Sequence, residues 1–125
     1  MTRLVTQRVV TLAAVLVLMT ATMLPSQLAF SSGIARRDAV RSEQQHQQDS
    51  LKLARDGVAH GKQGHADALV TNAEAALQHA LQAGKGPHVD AGVAELKQAI
   101  EHGKAGHADV ATTHAEQAVM HLSAK

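Results

Sequence analysis

The 125-residue sequence contains no cysteine, tryptophan or tyrosine, and its only aromatic residue is Phe30. The missing cysteine excludes a disulfide framework and every thiolate metal centre. Without aromatic side chains there is no stacking platform for single-stranded nucleic acid and no aromatic-lined ligand pocket. A formal charge of +1 argues against a polyanionic partner such as nucleic acid. The chain also lacks a Gly-rich phosphate loop, a Ser/His/Asp arrangement and a Cys-x-x-Cys-His haem attachment. What it holds in excess is histidine, nine in all.

The first third reads as an address. Arg3 and Arg8 precede an uncharged run of 22 residues from Val9 to Phe30, which Pro25 interrupts and small residues follow. A basic start, an apolar middle and a small-residue exit predict a secretory signal peptide over residues 1–35. Ala29-Phe30-Ser31 and Gly33-Ile34-Ala35 both suit cleavage. An uncleaved membrane anchor is the alternative, because the uncharged run is just long enough to span a bilayer. Either way, residues 36–125 are expected outside the cytoplasmic membrane, in the periplasm. That part carries ten Lys and Arg against eleven Asp and Glu, and all nine histidines.

Residues 36–125 repeat with a period of 42. Placing 60–80 on 102–122 gives 12 identities in 21 positions. His60-Gly61-Lys62-Gln63-Gly64-His65 thereby matches His102-Gly103-Lys104-Ala105-Gly106-His107. Each unit is two Ala-rich stretches split by a Gly-containing turn, and Lys85-Gly86-Pro87 separates the units. A hairpin taken twice predicts an all-α, antiparallel, up-and-down four-helix bundle. The spacing predicts helices over Asp38–Lys62, His65–Ala83, His88–Gly103 and His107–Ser123. Expected core stripes are Ala66, Leu69, Ala73, Ala76 and Ala80 in the second, with Val89, Val93, Leu96 and Ile100 in the third. Ala108, Ala111, Ala115, Ala118 and Leu122 serve the fourth. Glutamines 44, 45, 47 and 48 weaken the opening of the first, so 36–45 reads as a frayed start or a tail.

The histidines fall on one flank of every helix. At 100° per residue, His107, His114 and His121 lie about 80°, 100° and 120° to one side of the core stripe. His65, Asn72 and His79 repeat those angles, as do His88, Glu95 and His102, and also His46, Leu53 and His60. The two end histidines of one helix are about 21 Å apart, and no pair is spaced i,i+3 or i,i+4. A metal site must therefore be assembled between helices. His60, His65, His102 and His107 gather at the end that carries the two intra-repeat turns, with His46, His79, His88 and His121 at the other. The flanks meet either as helices 1 with 2 and 3 with 4, or as 2 with 3 and 4 with 1, depending on bundle handedness. Candidate carboxylate ligands are Glu43 and Asp49 beside His46, Asp56 beside His60, and Glu95 level with His114. Imidazole suits copper, nickel and zinc; with Met120 the one methionine beyond the export segment, Cu(II) is favoured over Cu(I). Binding needs deprotonated imidazole, so acid should release the metal.

The segment from His102 to His121, with the His-Gly-Lys-x-Gly-His unit used twice and no cysteine, resembles the small metal-binding protein family. These are histidine-rich periplasmic proteins of ammonia-oxidising bacteria. The similarity covers about residues 55–125. It implies a four-helix bundle, reversible binding of several divalent ions with copper foremost, and a role in copper handling. It carries over to His60, His65, His79, His88, His102, His107, His114 and His121. Asn72 departs from the pattern, which implies a lower ion capacity. Two rivals remain. A di-iron enzyme needs a Glu-x-x-His motif on each of two helices, and only Glu43-Gln-Gln-His46 fits. A pH-responsive helical module would use the same histidines as repelling charges below about pH 6. The expectation is a monomeric metal binder and not an enzyme.

Overall fold

The computed structural model describes residues 25–124, and among them it has four helices and no strand. Helix α1 spans Pro25–Lys62, α2 Ala66–Ala80, α3 Pro87–Lys104 and α4 Ala108–Ser123. The chain divides into two units, Met1–Asp38 and Ala39–Lys125. Residues 1–24 of the expected export segment lie outside the described residues. No helix among those described is long and apolar enough to cross a membrane.

Helix α1 begins at Pro25, not at Asp38. Proline suits a first helical turn, where its missing N–H has no partner to lose. From Leu28 to Arg41 only Gly33 opposes helix, at a cost of about 1 kcal/mol. The glutamine-rich stretch is helical as well, since glutamine is a good helix former and needs no buried face. Residues 33–45 are exposed, so the polar opening is helix without core. Helix α2 ends at Ala80, short of Ala83; Leu81 N–H still donates to Leu77 C=O, and Gln82 to His79 and Ala83 to Ala80 tighten the last turn.

The two Gly-containing turns are the same motif used twice. Gly64 N–H donates to Gly61 C=O at 2.9 Å, and His65 N–H donates to His60 C=O at 3.0 Å. The second turn has Gly106 to Gly103 at 3.1 Å and His107 to His102 at 2.9 Å. This pair of bonds is a Schellman cap, which needs a left-handed residue at its centre. Gly64 at φ 77° and Gly106 at φ 80° supply it. The residue that closes the cap then opens the next helix: His65 C=O accepts from Leu69 N–H, and His107 C=O from Ala111 N–H. A Schellman cap brings the third residue from the helix end against the residue after the glycine, usually as an apolar contact. Here those two residues are histidines in both turns.

The core lies between the four helices in unit Ala39–Lys125. Eight of its thirteen buried apolar residues are alanine, with Leu69, Leu96, Leu122, Val70 and Ile100 as the bulk. Such small side chains fill space only if the helices come close. Gly61 and Gly103 permit that: a Cβ at Gly61 would collide with Thr112 and Leu69, and one at Gly103 with Val70. In α3 the buried stripe is Gly92, Leu96, Ala99, Ile100 and Gly103, while Val89 and Val93 are only half-buried. Of the expected stripe, Leu96 and Ile100 are buried, Val93 packs against the core from its edge, and Gly92, Ala99 and Gly103 join them. Glycine at 92 and 103 admits Leu122 and Val70, and the helix turns its bare side inward.

Helix neighbours follow from contacts. Between α1 and α2, His46 meets His79, Ser50 meets Ala76, and a Cβ at Gly57 would touch Asn72. Numbers rise in α1 as they fall in α2. The same holds for Gly92 with Leu122 and Glu95 with His114 across α3 and α4, and for Gln47 with Leu122 across α1 and α4. Two ion pairs tie the hairpins reciprocally: Lys62 to Glu116 at 2.9 Å and Lys104 to Glu74 at 2.6 Å. Lysine and glutamate exchange hairpins between the two pairs, as two like units packed about a local two-fold would require.

Candidate metal centre

Three donors converge where α1 passes the end of α2. His46, Asp49 and His79 each offer a ligand atom, and these atoms lie within 4.8 Å of one another. The helix supplies part of this: Asp49 is three residues after His46, so both project from one face of α1. His79 enters from the last turn of α2. Ser50 fixes the register beside them, because its fully buried hydroxyl donates to Ala76 C=O at 2.8 Å. The Nδ1 atoms of His46 and His79 are 3.0 Å apart, with ring centroids at 5.3 Å and planes at 37°. All three side chains are half-buried. That leaves an ion room to exchange with solvent while shedding part of its hydration. Asp49 also accepts from Gln45 Nε2 at 3.1 Å, which steadies the carboxylate without using up its acceptor sites.

The turn histidines form two further pairs. His60 and His65 have ring centroids 6.2 Å apart, and His102 and His107 5.9 Å. Nδ1 of His60 is buried with no hydrogen-bond partner. In the second hairpin the cluster extends. The rings of His102 and His114 stack at 5.3 Å with a 2° interplanar angle, and Nδ1 of His114 donates to Glu95 Oε2 at 2.8 Å.

Of the two pairings open from sequence, the structure has helix 1 with 2 and helix 3 with 4. The ring contacts stay within hairpins, so neither end collects four histidines into one cluster. His88 is exposed and His121 half-buried, and among the described residues no ring contact or hydrogen bond joins them. Ala91 stands there where the first hairpin has Asp49. Among the carboxylates, Asp49 joins its histidines and Glu95 binds His114. Glu43 does not join His46; it lies beside Gly84. Asp56 is engaged by Lys52 at 2.8 Å and not by His60. That hydrogen bond, and then the charge of Asp56, raises the Lys52 ammonium above its ordinary pKa. Met120 is 70% exposed. Sequence reasoning missed the i,i+5 turn pairs as units. Their signal was present in the His-Gly-Lys-x-Gly-His spacing once the glycine is read as a left-handed cap.

Two imidazoles and a carboxylate within reach of one another, on a bundle without thiols, can hold a metal ion. The sequence profile of the small metal-binding protein family matches residues 8–125. The chain belongs to that family. The match spans both hairpins, so the histidine turns and the His46–Asp49–His79 cluster fall within it. No curated protein matches the chain. The family's defining property and the convergence of donors point the same way: the ligand is a metal ion.

Proposed function

We propose that the protein buffers or sequesters divalent transition metals in the periplasm, Cu(II) foremost and nickel or zinc next. The bundle is read as antiparallel and up-and-down, supported by the opposed numbering of facing residues. The observation that carries the function is the convergence of His46, Asp49 and His79 within 4.8 Å from two helices. Nitrogen ligands at about 2.0 Å from one ion span about 2.9 Å when adjacent at a right angle and about 3.3 Å in a tetrahedron. The 3.0 Å between the two Nδ1 atoms is a hydrogen-bond distance, and it already brings both nitrogens within reach of one ion. The affinity order for divalent ions also favours copper at nitrogen donors. Export rests on the N-terminal signal pattern, and a lack of paired Glu-x-x-His motifs supports binding without catalysis.

Calorimetric titration with Cu(II), Ni(II) and Zn(II) near pH 7.5 tests this. The wild-type chain should bind Cu(II) tightest, and Asp49→Asn or His79→Gln should weaken the first equivalent at least about tenfold, or 1.4 kcal/mol. Wild-type protein that takes up none of the three ions would overturn the reading and leave the pH-responsive module. That second reading has its own support, since two protonated rings placed as His46 and His79 are would repel.

A further inference from the structure

The contacts between the α1–α2 and α3–α4 hairpins come in matched pairs. A Cβ at Gly61 would meet Thr112, and one at Gly103 would meet Val70. Lys62 bonds Glu116, and Lys104 bonds Glu74. Val58 and Val119 line the groove between α1 and α4, while Ile100 and Leu77 line the groove between α2 and α3. In all three cases the second contact follows from the first by adding 42 to one residue number and subtracting 42 from the other. The two hairpins thus present equivalent faces, and each face is complementary to the other.

We propose that this interface also works between molecules: two copies of the chain exchange their α3–α4 hairpins and form a dimer of two complete bundles. Exchange keeps every contact between hairpins, so the linker, residues 81–86, is where the two forms differ. In the closed chain Gly84 takes φ 89° and Pro87 opens α3, which keeps α2 from running on into α3. Extended, six residues reach about 20 Å, enough to pass from one bundle into its neighbour. Joined by so short a linker, the hairpins of one chain meet at an effective concentration on the order of 1 mM. The closed monomer therefore prevails in dilute solution. Exchange takes over near that concentration, or wherever the linker resists folding back. His46, Asp49 and His79 all belong to the first hairpin, so exchange leaves their cluster whole, and the proposal stands independently of the metal reading.

The test reverses charge on one face at a time. One full-length variant carries Lys62→Glu with Glu74→Lys, and a second carries Lys104→Glu with Glu116→Lys. These side chains are about half exposed, so the reversals leave the core untouched. Alone, either variant sets like charges opposite one another, both in the closed chain and in a dimer of itself. Exchange between the two variants restores opposite charges at all four contacts of the two bundles. The variants are unfolded together in urea, refolded at about 0.1 mM in low salt, where surface charge acts most strongly, and weighed by native mass spectrometry. The mixed dimer should exceed either self-dimer at least about tenfold. Separately, Gly84→Ala, Gly86→Ala and Pro87→Ala together let α2 continue into α3, and this variant should be dimeric at micromolar concentration with its helix content kept. A mixture that refolds only to monomers, or to mixed and self-dimers in statistical proportion, overturns the proposal, as does a linker variant that stays monomeric. If the charge-reversed variants do not regain helix, isotope-labelled and unlabelled wild-type chains refolded together at about 1 mM decide the matter. A mixed dimer that persists on dilution supports exchange, and monomers alone refute it.

Discussion

At the scale of single residues, the chemistry depends on which of several similar side chains reaches its neighbour. Glu43, Asp49 and Asp56 all lie three or four residues from a histidine in α1, yet only Asp49 closes on two imidazoles. Of the other two, Glu43 lies beside Gly84 and Asp56 is paired with Lys52. Helical spacing names such candidates and does not choose among them, because the choice lies in rotamers and in what crosses from the next helix. Ser50 illustrates the same limit. It is fully buried and bonded to the Ala76 carbonyl, a contact between residues 26 apart that no local pattern announces. Ser50→Ala should lower stability by about 1 kcal/mol in urea unfolding, the net worth of one buried hydrogen bond. It should also weaken the ion at His46 and His79 by loosening the register that holds them level.

At the scale of elements, the histidine flank was legible and its partners were not. The angular position of eight histidines on four helices follows from period alone. Whether helix 1 turns its flank to helix 2 or to helix 4 depends on handedness, which helical period does not encode. The glycines that permit close packing also widen the buried face of α3, so that Val93 packs at its edge and Gly92 and Gly103 at its centre. The turns are the most local feature and the most determined. Gly64→Ala and Gly106→Ala force a left-handed alanine, at about 1–2 kcal/mol each, and should separate the paired turn histidines. Gly61→Ala and Gly103→Ala act differently, by pushing helices apart, and overpacking of this kind costs about 1–3 kcal/mol where a Cβ meets Thr112 or Val70. Thermal melts of the four variants should order them with the core glycines lowest.

At the scale of the whole molecule, a core made largely of alanine buries little per residue and leaves the bundle thinly stabilised. A ligand that binds the folded form alone supplies what the core lacks. At a free ion concentration a hundred times the dissociation constant, one site adds about 2.7 kcal/mol. For a unit of this size that corresponds to a melting point about 10–20 °C higher. The shift should be present near pH 7.5 and vanish by about pH 5, because protons compete for the imidazole nitrogens. The likeness of the two hairpins was readable from sequence as soon as residues 60–80 were laid on 102–122. Their differences were largely readable: Asn72 stood out as a departure and Glu95 was level with His114, and the structure adds that these two side chains touch, at 2.8 Å. The reach of α1 back to Pro25 was not foreseen, since the export pattern and the helix overlap on the same residues.

The most direct measurement follows the histidine ring nitrogens by NMR while Zn(II), a diamagnetic stand-in for the favoured copper, is added. Nδ1 of His46 and Nδ1 of His79 should shift together with the first ions bound, and their mutual 3.0 Å contact should be replaced by a shared ion. If both resonances stay in place up to saturating metal, no ion is held between α1 and α2 and the proposed centre is wrong.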